Sequence, residues 1–381
     1  MKFSFKRSSC GRWLALLLLV ALAGGGLGRV GARAQQPPPA QKPGAGKPAT
    51  KPADDDVTLP PEDEIERVNT DLTTVVFTAV DKNKRFITTL RQEDLRVSED
   101  GVPQSVFTFQ RETDRPLSLA ILIDTSASQE RTLPDEKNAA REFVDQVIRP
   151  AKDEVAVVSF TGDSTLEQGM TGNVQRIRRA IDRVEFVPPS GYVGGGVLVG
   201  TPPISGTNQQ LAGSTAIWDA IVATSDEIFA ETPEKTRRAI ILITDGADTS
   251  SRMKRDEAID AALKNDAVIY SVGIGDSYLY GVEEATLRKI SERTGGRAFF
   301  PKNETDLRTA FAQIQEELRS QYLLAYAPTN KAHDGTFRQI KIEVTNPELR
   351  KDNLRLTYRQ GYYAKSGTGT QQRGPQPKRK P

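Results

Sequence analysis

Apolar and polar residues follow one another in two different rhythms along this chain. In the middle, continuous apolar runs alternate with segments of helical periodicity, whereas both flanks repeat at every second position. The first apolar run, residues 117–123, lies between Pro116 and a polar cluster and is typical of a fully buried strand. The middle therefore predicts an α/β domain, with strands at 117–124, 154–160, 239–245 and 267–274 and helices at 134–148, 173–184, 215–230, 255–265, 283–294 and 306–318.

The strand order of such a domain determines which strand ends meet. Alternating strands and helices predict a Rossmann-like, doubly wound and mostly parallel sheet, with an antiparallel edge strand at 165–170 and the other edge at 298–300. In the order 3-2-1-4-5-6, strands one and four are neighbours, and ligands bind beyond their carboxyl ends. Asp124 and Asp245 end these two strands, so we expect them on one rim.

The flanks, residues 57–114 and 320–363, alternate apolar and polar side chains and predict short strands at 73–80, 95–98, 105–109, 321–326, 337–345 and 354–358. Pro103 restricts its segment to a sheet edge or a bulge. Neither flank alone can bury a sheet face well. We therefore expect both flanks to form one β-sandwich-like module, with the central domain, residues 115–319, inserted between them; two independent β pieces are the alternative.

Candidate metal ligands follow the first buried strand. Asp124, Ser126 and Ser128 alternate, so a loop can turn their oxygens toward one point, and such oxygens suit a hard cation. Taken alone, this D-x-S-x-S pattern is weakly specific, because these residues also serve as turns and helix caps. Thr215, which opens a helix after a Gly-Ser pair, and Asp245 follow in the order that a metal site would need. Together the three pieces are specific.

This arrangement resembles the von Willebrand factor type A domain and its metal-ion-dependent adhesion site, whose five motif positions fall on Asp124, Ser126, Ser128, Thr215 and Asp245. The flanks are similar to those of a bacterial group of exported proteins related to this family, through Glu99, Asp100, Gly101, Gln104, Phe107, Gln321, Tyr322, Leu324, Tyr326, Arg359, Gly361 and Tyr362.

The resemblance implies a division of roles in the site. The three hydroxyls bind the cation directly, and the two aspartates hold its water ligands. Mg²⁺ is the first candidate, with Mn²⁺ or Ca²⁺ as alternatives, and its open coordination position receives an Asp or Glu carboxylate of a protein partner. Mg²⁺ keeps several waters in its octahedral shell, one of which such a carboxylate can displace.

The termini predict export and flexibility. Residues 1–34 read as a signal peptide: four basic residues precede or flank a short apolar run, and Ala32-Arg33-Ala34 supplies a cleavage site. Residues 35–56 read as a disordered linker rich in Pro, Ala and Lys, and 364–381 as a disordered basic tail. We expect a periplasmic, surface or extracellular protein with no transmembrane segment in the mature chain and, because Cys10 leaves with the signal, no disulfide.

Charge and composition exclude several functions. Six of the 52 basic residues precede Gln35, which leaves 46 against 50 acidic residues, so we expect no nucleic-acid partner. His333 is the only histidine, so we expect neither a histidine-containing hydrolase triad nor a histidine-based zinc site. The glycines Gly273 and Gly275 indicate a turn rather than a cofactor loop.

The sequence thus predicts a non-enzymatic, cation-dependent protein for adhesion or scaffolding. The alternatives are a metal-independent scaffold of the cell envelope, and a phosphotransfer hydrolase using Asp124, which would lack its second acid because Ser126 stands there. The long loop 187–213 is expected to lie beside the rim, where it selects the partner or is only a flexible insertion. Asp248 either shapes the rim or caps a turn. The pattern determines neither the partner nor the oligomeric state.

Overall fold

A computed structural model describes residues 72–111, 114–188, 214–233, 235–275 and 281–366. The predicted signal peptide, the linker, most of the tail and residues 189–213 of the long loop lie outside these ranges. The elements, in chain order, are β1 (Thr73–Val80), β2 (Leu95–Glu99), β3 (Val102–Gln104), β4 (Val106–Arg111), β5 (Leu117–Asp124), α1 (Leu133–Val147), β6 (Glu154–Phe160), β7 (Ser164–Thr171), α2 (Val174–Arg183), α3 (Ile217–Ala223), β8 (Arg237–Thr244), α4 (Arg255–Lys264), β9 (Ala267–Gly273), α5 (Glu284–Thr294), β10 (Ala298–Phe299), α6 (Glu304–Arg319), β11 (Tyr322–Tyr326), β12 (Phe337–Val344), α7 (Pro347–Lys351), β13 (Arg355–Tyr358) and β14 (Gly361–Tyr363).

The central sheet has six strands in the order β10-β9-β8-β5-β6-β7. Its strands are parallel except for β7, which pairs antiparallel with β6 at one edge. This is the predicted doubly wound order, and the predicted fold class is confirmed. In this order β5 and β8 are direct neighbours, so Ile123 pairs with Ile243, one residue before each strand's end.

Two apolar layers cover the central sheet, one on each face. Because successive strand residues point to opposite faces, Leu119 and Ile121 pack with α1, α2 and α6, whereas Ala120 and Leu122 pack with α3, α4 and α5. All eight residues of β5 are buried, since strands flank it on both sides and helices cover both faces. This explains its continuous apolar sequence.

One predicted helix differs from the structure. The segment expected at 215–230 is helical only from Ile217, and after Ala223 it continues as a π turn and a short 3₁₀ turn, Thr224–Ile228 and Phe229–Glu231. The helix begins late because the preceding residues are held by neighbouring loops; the amide of Ala216, for instance, donates to the Thr161 carbonyl at 2.8 Å.

The flanks build two four-stranded sheets, β13-β1-β11-β4 and β14-β12-β2-β3. Each sheet combines strands from both flanks, and one apolar cluster joins them, with Val75, Tyr322 and Ile340 among its members. The expected sandwich-like module from both flanks is therefore confirmed. Pro103 lies in the edge strand β3. Proline is tolerated there because its missing N–H costs the sheet no hydrogen bond. Strand β14 and helix α7 were not predicted, because three to five residues are too few to display a period.

The chain crosses between module and central domain twice, at residues 111–117 and 319–322. Arg237, at the start of β8, contacts both crossings: its guanidinium donates to the Leu318 carbonyl, to Gln321 Oε1 at 2.8 Å and to the Arg115 carbonyl at 3.2 Å. One side chain thus ties the central sheet to both connections. Within the described residues, no helix has the length and apolar character needed to cross a membrane.

Candidate metal site

The loop after β5 folds back onto the carboxylate that ends the strand. The amide of Ser126 donates to Asp124 Oδ1 at 2.9 Å, a local turn typical of aspartate. The hydroxyls of Ser126 and Ser128 then lie 3.1 Å apart. Thr125, which points the other way, donates through its amide and hydroxyl to the Phe160 carbonyl of β6. Alternation thus turns the two serines to the same side, as predicted.

The second carboxylate reaches the site from the neighbouring strand. Asp245 follows β8, and its Oδ1 accepts from the Ala247 amide at 3.0 Å; against the effect of burial, which raises the pKa of its carboxyl group, the nearby Ser128 hydroxyl lowers it. Asp124 and β8 are connected as well, because Thr244 Oγ1 donates to Asp124 Oδ2 at 2.6 Å. Ser128 and Thr244 therefore link the two strand ends into one polar cluster.

Gly275 leaves room for the second carboxylate. A Cβ atom at this position would lie only 3.2 Å from the Cβ of Asp245 and 2.8 Å from the Gly281 carbonyl oxygen. The described part of the predicted glycine turn therefore has a packing role beside the rim.

Thr215 lies on the same edge, in the loop that leads into α3. Its amide donates to Thr249 Oγ1 at 2.8 Å, and its carbonyl accepts from the amides of Thr249 and Ser250. On the other side, the Thr161 hydroxyl, just past β6, donates to the Ser214 carbonyl at 2.6 Å. Since β6 and β8 flank β5, these contacts hold Thr215 at the rim that carries Asp124.

The two carboxyl groups of the rim are buried without a basic side chain in the described part of the chain to balance their charge. Asp124 is fully buried and Asp245 is 2% exposed, and neither has a Lys or Arg ion-pair partner among the described residues. Burial raises the pKa of Asp124 to about 7, against the opposing hydrogen bonds from Thr244 and Ser126, and it also raises the pKa of Asp245. Buried charges are normally paired or coordinate a metal.

A divalent cation fits this donor set. Within the part of the chain that the structure describes, no group of three His, Cys, Asp or Glu side chains could hold a metal. The five predicted residues include only two carboxylates, so hydroxyl oxygens would have to supply the remaining ligands. Such all-oxygen sets suit Mg²⁺, Mn²⁺ or Ca²⁺. The five residues remain a predicted ligand set, which the geometry brings to one rim.

Sequence reasoning missed an acidic residue near this rim. Glu136, on α1, is fully buried, and neither of its carboxyl oxygens has a hydrogen-bond partner in the part of the chain that the structure describes. Burial raises its pKa to about 8, and the charges of Asp124 and Asp245 add to this rise. Its position in the first turn of α1 carries no signal, because an acid there is ordinarily exposed and interacts favourably with the helix dipole.

Two other predictions concern loops at the rim. The amide of Val187 donates to the Thr125 carbonyl at 3.2 Å, so the segment 187–213 starts beside the rim; its residues 189–213 lie outside the described ranges. Asp248 Oδ1 accepts from the Ile217 amide at 2.8 Å and from the Ser251 hydroxyl at 2.5 Å. Asp248 thus holds the turn that follows it through Ser251 and also connects that turn to the start of α3, two residues after Thr215.

Two models of the von Willebrand factor type A domain match the chain, one over residues 119–247 and one over residues 203–313. Among curated relatives, a UPF0353 protein of Mycobacterium avium is 22% identical over 210 residues, which cover 52% of this chain and 59% of the relative. An uncharacterised protein of Borreliella burgdorferi is 29% identical over 143 residues, or 33% of this chain and 37% of the relative. The chain thus spans about three fifths of the first of these relatives.

Solved structures resemble the chain at low identity. A von Willebrand factor type A protein from Catenulispora acidiphila is 14% identical, with a TM-score of 0.43, covering 78% of this chain and 73% of that one. Proximal thread matrix protein 1 from the mussel byssus, described as having a zinc-occupied MIDAS motif, is 20% identical, with a TM-score of 0.44, covering 58% of this chain and 50% of that one.

Proposed function

Because the chain contains a von Willebrand factor type A domain, we propose that it is an exported, non-enzymatic protein that presents a divalent cation to an acidic residue of a protein partner. One observation carries the proposal: two buried carboxylates and a pair of serine hydroxyls converge on one rim, with no cationic side chain among the described residues to neutralise them. A metal ion would supply the missing charge.

The residues of the rim would divide the work as follows. Ser126, Ser128 and Thr215 would hold the cation through their hydroxyls, and the aspartates would fix its water ligands. When bound, the cation supplies an electrophilic position that accepts a carboxylate oxygen. Thr244 fixes the orientation of Asp124 through its 2.6 Å hydrogen bond, and Gly275 keeps the space beside Asp245 free of side-chain atoms.

Adhesion or scaffolding suits this site better than catalysis. A phosphotransfer reaction at Asp124 would need an acid two residues later, but Ser126 stands there and lies within hydrogen-bonding distance of Ser128. In this proposal, the segment 187–213 selects the partner. Its first residue, Val187, is hydrogen-bonded to the loop that carries the serines.

Thermal unfolding tests the metal site. Residues 35–381 would be melted with Mg²⁺, Mn²⁺, Ca²⁺ or a chelator, because an ion at about a hundred times its dissociation constant stabilises the native state by roughly 2.7 kcal/mol. We expect this stabilisation to disappear in Asp124→Ala and in the double variant Ser126→Ala with Ser128→Ala. The matched control is Asp153→Asn, another buried aspartate, but one paired with Arg149 at 2.8 Å. It should melt at a lower temperature and still respond to the ion.

The same measurement can contradict the proposal. A folded protein that responds to no ion, or a response that survives in Asp124→Ala, would rule out a cation at this rim. The partner is tested separately by selecting binders from a peptide library in Mg²⁺ and measuring each again in chelator and with its acidic residues changed to amides. Binders that are equally strong in chelator would contradict carboxylate recognition through the cation.

A further inference from the structure

Two adjoining cavities lie at the end of the central sheet that is opposite the metal rim. They are bounded by the start of β8, the end of α4 and the β module, and have volumes of about 170 and 570 Å³. Thr74, Leu263, Asp266 and Arg359 belong to the walls of both, so the two spaces adjoin across a shared wall; together they are here called the junction cavity. It shares no residue with the predicted metal site.

The lining of the junction cavity is strongly basic. The whole chain has 52 basic and 50 acidic residues, whereas the described residues that line this cavity include a single acid, Asp266, and eight basic residues: Arg115, Arg237, Arg238, Lys264, Lys331, Arg338, Arg359 and Lys365. A chain of balanced composition therefore concentrates positive charge in one enclosed place, and a concave site of one sign focuses its electric field.

Backbone carbonyls accept hydrogen bonds from several of these arginines and thereby fix their guanidinium groups. Arg238 donates to the carbonyls of Thr232 and Asn265, and Arg237 to those of Leu318 and Arg115. Arg359 is paired with Asp266 and donates to the Thr74 carbonyl, while its buried Nε has no acceptor among the described residues. The lining thus carries more basic than acidic side chains, and hydrogen bonds fix the positions of the guanidinium groups of Arg237, Arg238 and Arg359.

The charge of Arg338 is balanced by two acids, the buried Glu99 and the exposed Asp334. Arg338 is 2% exposed and lies against Glu99 and Asp334, and it also donates to the carbonyls of Asn330 and Ala332. These bonds order the segment that carries Lys331, so the outer wall of the cavity is preformed.

Two exposed lysines complete the wall. Lys264 Nζ lies 5.3 Å from the ring centroid of Tyr363, and Lys331 lies across the cavity in the segment that Arg338 orders. Within the described residues, neither lysine has a carboxylate partner. The Tyr362 and Tyr363 side chains add aromatic surface between the charges.

We propose that the junction cavity binds a small, multiply charged anion of the phosphate class. Its 570 Å³ main chamber has the size of a small-molecule site. Guanidinium and ammonium groups are the usual protein donors to phosphate, and the tyrosine rings can cover the organic part of an esterified phosphate. A free phosphate ester and a phospholipid headgroup share this chemistry.

Anion titration of residues 35–381 tests this site apart from the metal rim. The protein would carry Asp245→Ala and be kept in chelator, so that no rim cation can bind phosphate. At constant ionic strength, we expect pyrophosphate and glycerol 3-phosphate to raise the melting temperature saturably, and acetate not to. Calorimetry should show that Lys264→Gln with Lys331→Gln weakens pyrophosphate binding about tenfold or more, because charged hydrogen bonds are the strong ones.

The control removes the same charge elsewhere. Lys82→Gln with Lys351→Gln changes two exposed lysines outside the cavity and should leave pyrophosphate affinity unchanged. Equal weakening in both double variants, or no saturable binding, would overturn the proposal. Vesicles of phosphatidylcholine with and without phosphatidylglycerol distinguish the sources: binding to the anionic vesicles in preference to soluble glycerol 3-phosphate assigns a lipid headgroup, and the reverse assigns a soluble ester.

Discussion

The two ends of the central sheet differ in charge and in how that charge is satisfied. Beside the rim, at the carboxyl ends of the strands, a cavity is lined by four acids and one base: Asp135, Glu136, Glu284, Glu304 and Lys302. At the opposite end, the junction cavity has eight bases and one acid. All strands of a parallel sheet start at the same end of the sheet and finish at the opposite end. Charged residues that stand at the starts of the strands therefore collect at one end of the sheet, and those that stand at the strand ends collect at the other. In this way a chain with almost no net charge can have a basic and an acidic end.

The charged residues at the two ends of the sheet also differ in their role. Arg237 at the junction has acceptors from both chain crossings. Among the described residues at the rim, Glu136 has no hydrogen-bond partner for its carboxyl oxygens, and Asp124 has only neutral partners. Arg237 therefore has a structural role at the junction, whereas the buried carboxyl groups at the rim have no basic side chain to balance them among the described residues.

The largest effect is expected from breaking the junction. Arg237→Ala removes the donor shared by three acceptors, and unsatisfied buried groups each cost about 1–3 kcal/mol, so we expect the free energy of unfolding to fall by about 3 kcal/mol. Urea denaturation measures it. Arg308→Ala is the control, since its ion pairs are half exposed and contribute at most about 1 kcal/mol. Equal losses in both variants would contradict the role of Arg237.

A smaller, pH-dependent effect is expected from Glu136. Its pKa in the folded protein is about 8, above the usual 4.5, so the folded state binds the proton more tightly than the unfolded state. Its stabilising contribution is complete below pH 4.5 and is lost as the pH rises toward 8, by on the order of a few kcal/mol. Asp124 acts in the same direction up to about pH 7.

Comparing the native chain with Glu136→Gln isolates this contribution. In chelator, urea unfolding between pH 5 and pH 8 should show a steep loss of stability in the native chain and a shallower one in the variant, which should be the more stable of the two at pH 8. Identical pH slopes would show that Glu136 is not a buried, protonated acid in the metal-free protein.

The smallest effect is expected from the cavity lysines. Lys264→Gln and Lys331→Gln change exposed side chains without carboxylate partners in the described structure, so the free energy of unfolding without anion should stay within about 0.5 kcal/mol of the native value. Chemical denaturation in a phosphate-free buffer measures this. A loss comparable to that of Arg237→Ala would make these lysines part of the structural connection rather than of a ligand site.

The sequence alone determined the central domain and the position of its rim. Two apolar runs, one ending at Asp124 and one ending at Asp245, indicate buried strands from the local sequence alone. The parallel order of such strands follows from their connections. Because these signals are short-range and periodic, the two aspartates could be placed at one end of the sheet before any coordinates, whereas Thr215 was added through the order of the motif pieces and the resemblance to the von Willebrand factor type A domain.

Only the tertiary structure decided what distant segments do to one another. Thr73 pairs with Tyr326, and Ile340 with Glu99, across more than two hundred residues, and no local period specifies such partners. The same holds for charge. Glu136 is unsatisfied because of what packs around it, and the junction cavity is basic because β8, α4 and the β module bring their arginines and lysines together. Burial and electrostatic environment are properties of packing, and packing is non-local.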